Sequence, residues 1–242
     1  MDRVLYLAMA GAKANMQRQD VLANNLANAS TTGFRAELTA FRAVPVRGDG
    51  ASTRVYAIET TPGYNAAPGP VAATGRNLDV AMKGNAWLAV QSVDGTEAYT
   101  RGGALDVNAE GVLVTRGGLP VVGDGGPITI PPNARVLIGG DGTVTATVGS
   151  GAPQGVGRIK LVTPEAPMVR GADGLFRAAE GDDLPADATA GVQPEALEGS
   201  NVSPVESMVA MISAARQFEQ QMKMLQTAQE REQSATRLLS TS

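Results

Sequence analysis

Glycine and proline are confined to the middle of this chain, and that distribution limits the fold more than any other feature. All 14 prolines lie between Pro45 and Pro204; of the 29 glycines only Gly11 and Gly33 precede residue 48, and none follows Gly199. In a helix interior, glycine costs about 1 kcal/mol and proline about 3 kcal/mol relative to alanine. The two ends are therefore free to be helical, and the middle is not. The sequence predicts three parts: a helical start, a turn-rich middle and a helical end.

The first part carries Leu5, Met9, Ala12, Met16, Gln19, Ala23 and Leu26 at alternating spacings of four and three, which place them on one face of a helix. Ala12-Lys13-Ala14 has the small-x-small form of a leader cleavage site, but the helical stripe runs straight through it. A removed leader would not need that continuity. The last part opens with Ser203-Pro204-Val205-Glu206. Ser203 can cap the Glu206 amide, and Pro204 sits at the first helical position, where its missing N–H costs nothing. Met208, Met211, Ala215, Phe218, Met222 and Leu225 continue as a second stripe. A helix from Pro204 to about Leu239 would be about 50 Å long at 1.5 Å per residue. Periodicity alone leaves two readings open. The helices could lie on a single domain, or they could pair with each other and with neighbouring copies.

The middle reads as β. Strand candidates are Leu78–Met82, Trp87–Gln91, Gly111–Thr115 and Val144–Val148, separated by turn dipeptides such as Asp94-Gly95 and Asp141-Gly142. Closely spaced strands without intervening helical patterns predict an antiparallel β domain. The proline- and glycine-rich stretch 35–75 reads as an extended arm or linker.

Composition removes whole classes of chemistry. With no cysteine and no histidine, the chain has no disulfide, no thiolate metal site and no Ser–His or Cys–His nucleophile pair. Its 24 acids against 20 bases give a net charge of −4 without a basic block, so a nucleic-acid partner is not expected. No stretch approaches the ~18 apolar residues of a membrane span, which excludes direct helical membrane insertion. Asp106-Val107-Asn108-Ala109-Glu110-Gly111 imitates the start of a calcium loop, but its twelfth position is Gly117 rather than a bidentate glutamate. Arg47-Gly48-Asp49 reads as a linker turn. Paired carboxylates could run glycoside hydrolysis without histidine, yet Asp94, Asp124, Asp141 and Asp173 each precede glycine, which is turn chemistry. No cofactor, metal or small-molecule substrate is expected.

Both ends carry recognisable wording. Ala23-Asn24-Asn25-Leu26-Ala27-Asn28-Ala29-Ser30-Thr31-Thr32-Gly33-Phe34-Arg35 resembles the N-terminal signature of the bacterial flagellar rod and hook proteins. The opening Met1–Tyr6 and Phe41–Pro45 are most similar to the proximal-rod members of that family. Leu197-Glu198-Gly199-Ser200-Asn201-Val202, followed by Glu206-Ser207-Met208-Val209, resembles its C-terminal box. Gly75-Arg76-Asn77-Leu78-Asp79-Val80-Ala81 and Tyr99-Thr100-Arg101-Gly102 resemble its shared middle domain.

The resemblance implies a structural subunit of the proximal rod, a periplasm-spanning shaft that transmits torque. A distal-rod or hook subunit of the same family is the near alternative, and a carboxylate-dependent envelope glycan hydrolase the distant one. It also implies export through the flagellar type III apparatus without a cleaved leader, and partners that are other copies and other rod subunits. The expected fold is a mainly β central domain with long N- and C-terminal α-helices that pair as a coiled-coil-like inner domain. The expected divisions are 1–34 (N-terminal helix), 35–75 (arm), 76–196 (β-rich outer domain) and 197–242 (C-terminal helix). The expected assembly interface is Leu5, Met9, Ala12, Met16, Ala23, Asn24, Asn25, Leu26 and Asn28 in the first helix. In the second it is Met208, Met211, Ala215, Phe218, Met222 and Leu225.

Overall fold

The computed structural model describes residues 2–45 and 55–240, with side chains described for 8–42 and 63–231. The chain divides into two compact units. A terminal unit comprises Met1–Ala29, Ala36–Asn65 and Val202–Ser242; a β unit comprises Ser30–Arg35 and Ala66–Asn201.

In the terminal unit, helix α1 (Asp2–Ala27) and helix α2 (Pro204–Ser240) pack against each other. The 37 residues of α2 span about 55 Å. Its start follows the sequence: the Glu206 amide donates to Ser203 Oγ at 3.4 Å. Strands β1 (Glu37–Pro45) and β2 (Val55–Tyr64) form an antiparallel pair within the stretch expected as an arm. Their register runs from Glu37 opposite Tyr64 to Pro45 opposite Val55, with an irregularity between Leu38 and Ala40. Arg47-Gly48-Asp49 lies outside the described residues.

The expectation of a coiled-coil-like inner domain is corrected by burial along the helices. In a coiled coil the residues of the four-three stripe are the knobs that bury against the partner. Here Met9 and Met16 are 52% and 54% exposed and Met208 is 51% exposed, while the buried apolar helix positions are Ala8, Ala12 and Ala214. At Gly11 the Gln221 side chain comes so close that an added Cβ would sit 3.2 Å from its Cδ. Small residues let the chains approach and an amide fills the groove, so large apolar knobs are not what this contact uses.

The β unit is a set of short antiparallel sheets around one core. It includes β3 (Val71–Ala73), β4 (Val80–Met82), β5 (Trp87–Gln91) and β6 (Glu97–Thr100). The largest sheet has five strands in the order Leu161–Val162, β5, β6, Phe176–Arg177, Val169–Arg170. Every residue from Trp87 to Val90 is buried, so β5 reads as a continuous apolar run with both faces covered. Thr143–Val148 instead alternates, burying Val144 and Ala146 on one face. Leu88, Leu105, Leu113, Val121, Ile159 and Val192 are among the fully enclosed core side chains. Two further pairings position the site: β3 with Ala196–Glu198, and β4 with Val192–Pro194.

Candidate functional site

The end of α1 explains the asparagine-rich signature. The Asn28 amide and Asn28 Nδ2 both donate to the Asn24 carbonyl, at 3.1 and 2.9 Å, so Asn28 closes the last turn. Asn25 is buried, and its amide side chain behaves as a strand neighbour. Nδ2 donates to the Glu37 carbonyl at 3.0 Å and Oδ1 accepts from the Glu37 amide at 2.8 Å. Two complementary bonds to one residue fix where β1 starts relative to the helix. Asn24 is exposed and contributes its carbonyl.

The other expected interface residues divide by burial. Ala12 is buried; Leu26, Met211, Ala215, Phe218 and Leu225 are half-buried; Met9, Met16, Ala23, Met208 and Met222 are exposed. The Leu5 side chain lies outside the described residues. The structure adds a stripe that the seam touched only at Met208. Val205, Met208, Val209 and Ile212 are 51–71% exposed at the first turns of α2. Their spacing of three, four and seven residues from Val205 puts them on one helix face. That spacing was present in the sequence and was masked by the neighbouring methionine stripe.

Within the β unit, the three motifs converge on one buried carboxylate. The Glu198 side chain is 0% exposed and ion-paired with Arg35 and Arg101, which are 2% and 3% exposed. Arg101 is fully engaged. Its Nε and Nη2 donate to Glu198 Oε2, and its remaining donors reach the carbonyls of Met82, Gly84 and Ala86. Burial holds this guanidinium below its ordinary pKa, Glu198 opposes that shift, and Arg35 adds to it. Glu198 Oε1 accepts the Gly69 amide at 2.9 Å and lies 2.5 Å from Arg35 Nη1. The Arg35 leg is as short but carries fewer hydrogen bonds, because neither Nη1 nor Nε completes an aligned one.

The backbone around Glu198 is knit in the same way. Gly33 donates its N–H to the Glu198 carbonyl at 2.8 Å, Asn201 its N–H to Phe34, and Gly199 its N–H to Pro70. Gly33 has φ +70°, and a Cβ there would land on the Arg101 carbonyl carbon and the Gly102 nitrogen. Arg170 stacks over Phe34 at 4.4 Å and donates to the Arg35 carbonyl at 3.3 Å. The sequence named all three motifs but not their meeting. The available signal was a charge beside or near glycine in each: Gly33-Phe34-Arg35, Arg101-Gly102 and Glu198-Gly199.

The other motif charges close local structure. Arg76 donates through Nε and Nη2 to Asp79 Oδ1, and Thr74 donates to Asp79 Oδ2. Three of the four carboxylates considered for hydrolysis cap turns: Asp94 accepts from Thr96, Asp141 from Thr143, and Asp173 from Leu175 and Arg177. Among the described residues no group of acidic side chains is arranged to hold a metal. Likewise no described helix is long and apolar enough to cross a membrane.

Comparison with known proteins matches three separate stretches. Residues 5–35 match the family described as flagella basal body rod protein, and residues 81–146 the flagellar hook protein FlgE/F/G D1 domain. Residues 193–238 match the flagellar basal body rod FlgEFG protein C-terminal family. Arg35, Arg101 and Glu198 fall one in each stretch. The flagellar basal-body rod protein FlgF of Salmonella typhimurium is 46% identical over 252 residues, covering 100% of both chains. That of Escherichia coli is 45% identical over 253 residues, again covering 100% of both. The rod protein FlgG of Agrobacterium fabrum is 32% identical, with 94% of this chain and 96% of the relative aligned.

Proposed function

This chain belongs to the family of flagellar basal-body rod proteins, and on that premise we propose that it builds the proximal part of the rod. It is a structural subunit of the basal body, not an enzyme, and it assembles with other rod components. The finer placement is supported by the full-length likeness to FlgF at 45–46%, against 32% to the FlgG relative. In this reading, copies polymerise with one another and with neighbouring rod subunits into a periplasm-spanning shaft that transmits torque.

The observation that carries the assembly role is the exposed apolar surface of the terminal helices. Val205, Met208, Val209 and Ile212 on α2, with Met9 and Met16 on α1, are large apolar side chains left in water by the single chain. Covering what remains exposed of each would gain about 1–2 kcal/mol before the cost of association is subtracted. Leu5, Ala23, Leu26, Met211, Ala215, Phe218, Met222 and Leu225 belong to the same proposed assembly surface, whereas Ala12 is already buried within the single chain. Asn24 and Asn28 lie at its edge, whereas the Asn25 side chain is already committed to Glu37.

Export through the flagellar type III apparatus with the leader-like Ala12-Lys13-Ala14 left intact is part of the proposal. The unbroken passage of α1 through that point supports it. The test is complementation: the chain should restore motility to a strain lacking its FlgF counterpart, and the secreted protein should keep residues 2–14 by mass spectrometry. Failure to restore motility despite secretion would refute the proximal-rod placement. A product starting near Ala14 would refute uncleaved export.

A further inference from the structure

The chain passes between the terminal unit and the β unit four times, at residues 29/30, 35/36, 65/66 and 201/202. Each passage is fastened inside the β unit within a few residues of the crossing. Gly33 N–H binds the Glu198 carbonyl after the first, and Arg35 meets the Glu198 carboxylate at the second. After the third, the Ala67 carbonyl accepts Asn201 Nδ2 at 2.7 Å and Gly69 N–H binds Glu198 Oε1 at 2.9 Å. Before the fourth, Asn201 N–H binds the Phe34 carbonyl. Glu198 takes part in the first three, and the fourth joins Asn201 to Phe34, the neighbour of Gly33.

We propose that the Arg35–Glu198–Arg101 triad is a clamp that holds the β-unit ends of these crossings under load, with Arg35 as the leg that releases first. The asymmetry of the triad sets that order. Arg101 is held by the carboxylate and three backbone carbonyls, whereas Arg35 has an ion pair without an aligned hydrogen bond. Removing Arg35 leaves a balanced Arg101–Glu198 pair, so the β core should stay folded. Removing Glu198 would strand two buried guanidinium groups, which is strongly destabilising. The four covalent connections are paths by which load on a shaft subunit reaches this clamp. The load-bearing role rests on the rod-subunit reading, but the local opening does not.

The test uses the full chain with Arg35→Met, which keeps the stem, and Arg35→Lys, which keeps the charge. Hydrogen exchange should accelerate at least tenfold at the amides of Gly33 and Asn201 in Arg35→Met, with Trp87–Thr100 unchanged and Arg35→Lys intermediate. Unchanged exchange at Gly33 and Asn201 would overturn the clamp. An equal loss of protection across Trp87–Thr100 would also overturn it, making the triad ordinary core. In a strain that wild-type chain has restored to motility, Arg35→Met should lose swimming speed disproportionately as viscosity rises. Speed falling in parallel with wild type would refute the load role. Wild-type chain failing to restore motility would refute the rod reading itself, leaving the exchange result to decide the clamp.

Discussion

Gly33→Ala and Gly75→Ala form a matched pair in which backbone strain is the same and surroundings differ. Gly33 has φ +70° and Gly75 φ +71°, so alanine at either position pays about 1–2 kcal/mol for the left-handed conformation. Loss of unfolded-state freedom returns about 0.4–1 kcal/mol in both. At Gly75 nothing lies within 4 Å of the new Cβ, so its net cost should be about 1 kcal/mol. At Gly33 the Cβ meets the backbone of Arg101 and Gly102, which cannot step aside as a side-chain tip could. Forcing them apart adds about 1–3 kcal/mol. Displacing the Gly33 N–H from the Glu198 carbonyl leaves buried groups unpaired, at about 1–3 kcal/mol more.

The Gly33 variant should therefore be less stable than the Gly75 variant by roughly 2–6 kcal/mol. Urea titration is a direct assay because the chain's single tryptophan, Trp87, is 2% exposed in the β core and reports that unit. The midpoint should fall more for Gly33→Ala at unchanged slope. Equal midpoint losses would mean that the close approach carries no energy and that the packing of the signature around Arg101 is misassigned.

Asn25→Leu should cost about 1–3 kcal/mol, because the Glu37 N–H and C=O lose both partners; faster exchange at the Glu37 amide would locate the loss. Val209→Asp and Ile212→Asp lie on the exposed α2 stripe, so monomer stability should move by less than about 0.5 kcal/mol. Motility of a complemented deletion strain should nevertheless be lost, with secreted protein still detected; retained motility would contradict the assembly surface. Asp187 accepts hydrogen bonds from Thr189 and then Thr163, which hold its carboxyl at about 2 against an ordinary 3.8. Its folded pKa is depressed, so its stabilisation is complete above about pH 4 and lost as pH falls through about 2. Its NMR titration midpoint should follow, rising when Thr189→Val removes the side-chain donor.

Local chemistry was readable along the chain and long-range meeting was not. The Ser203 cap and the strands at Trp87–Gln91 and around Val144–Val148 depend on neighbours a few residues away, and pattern alone located them. The helix contact was misjudged because periodicity identifies a face, not how closely two backbones approach. Ala8, Gly11 and Ala12 on α1 and Ala214 on α2 allow a close approach that leaves Met9, Met16 and Met208 outside. The triad was invisible for a different reason. Arg101 and Glu198 are separated by 97 residues, and the glycine beside each is too common in this chain to mark either as buried. The motifs carrying them pointed to a family, while the charge balance that holds those motifs together appears only in three dimensions.

The central claim is that this chain is a building block of the rod. Basal bodies purified from a complemented deletion strain, stripped of membrane and soluble protein, test it most directly by quantitative mass spectrometry and cryo-electron microscopy. The chain should be retained in defined stoichiometry, with density for its β unit on the proximal rod. Complete rods that contain none of it would contradict the account.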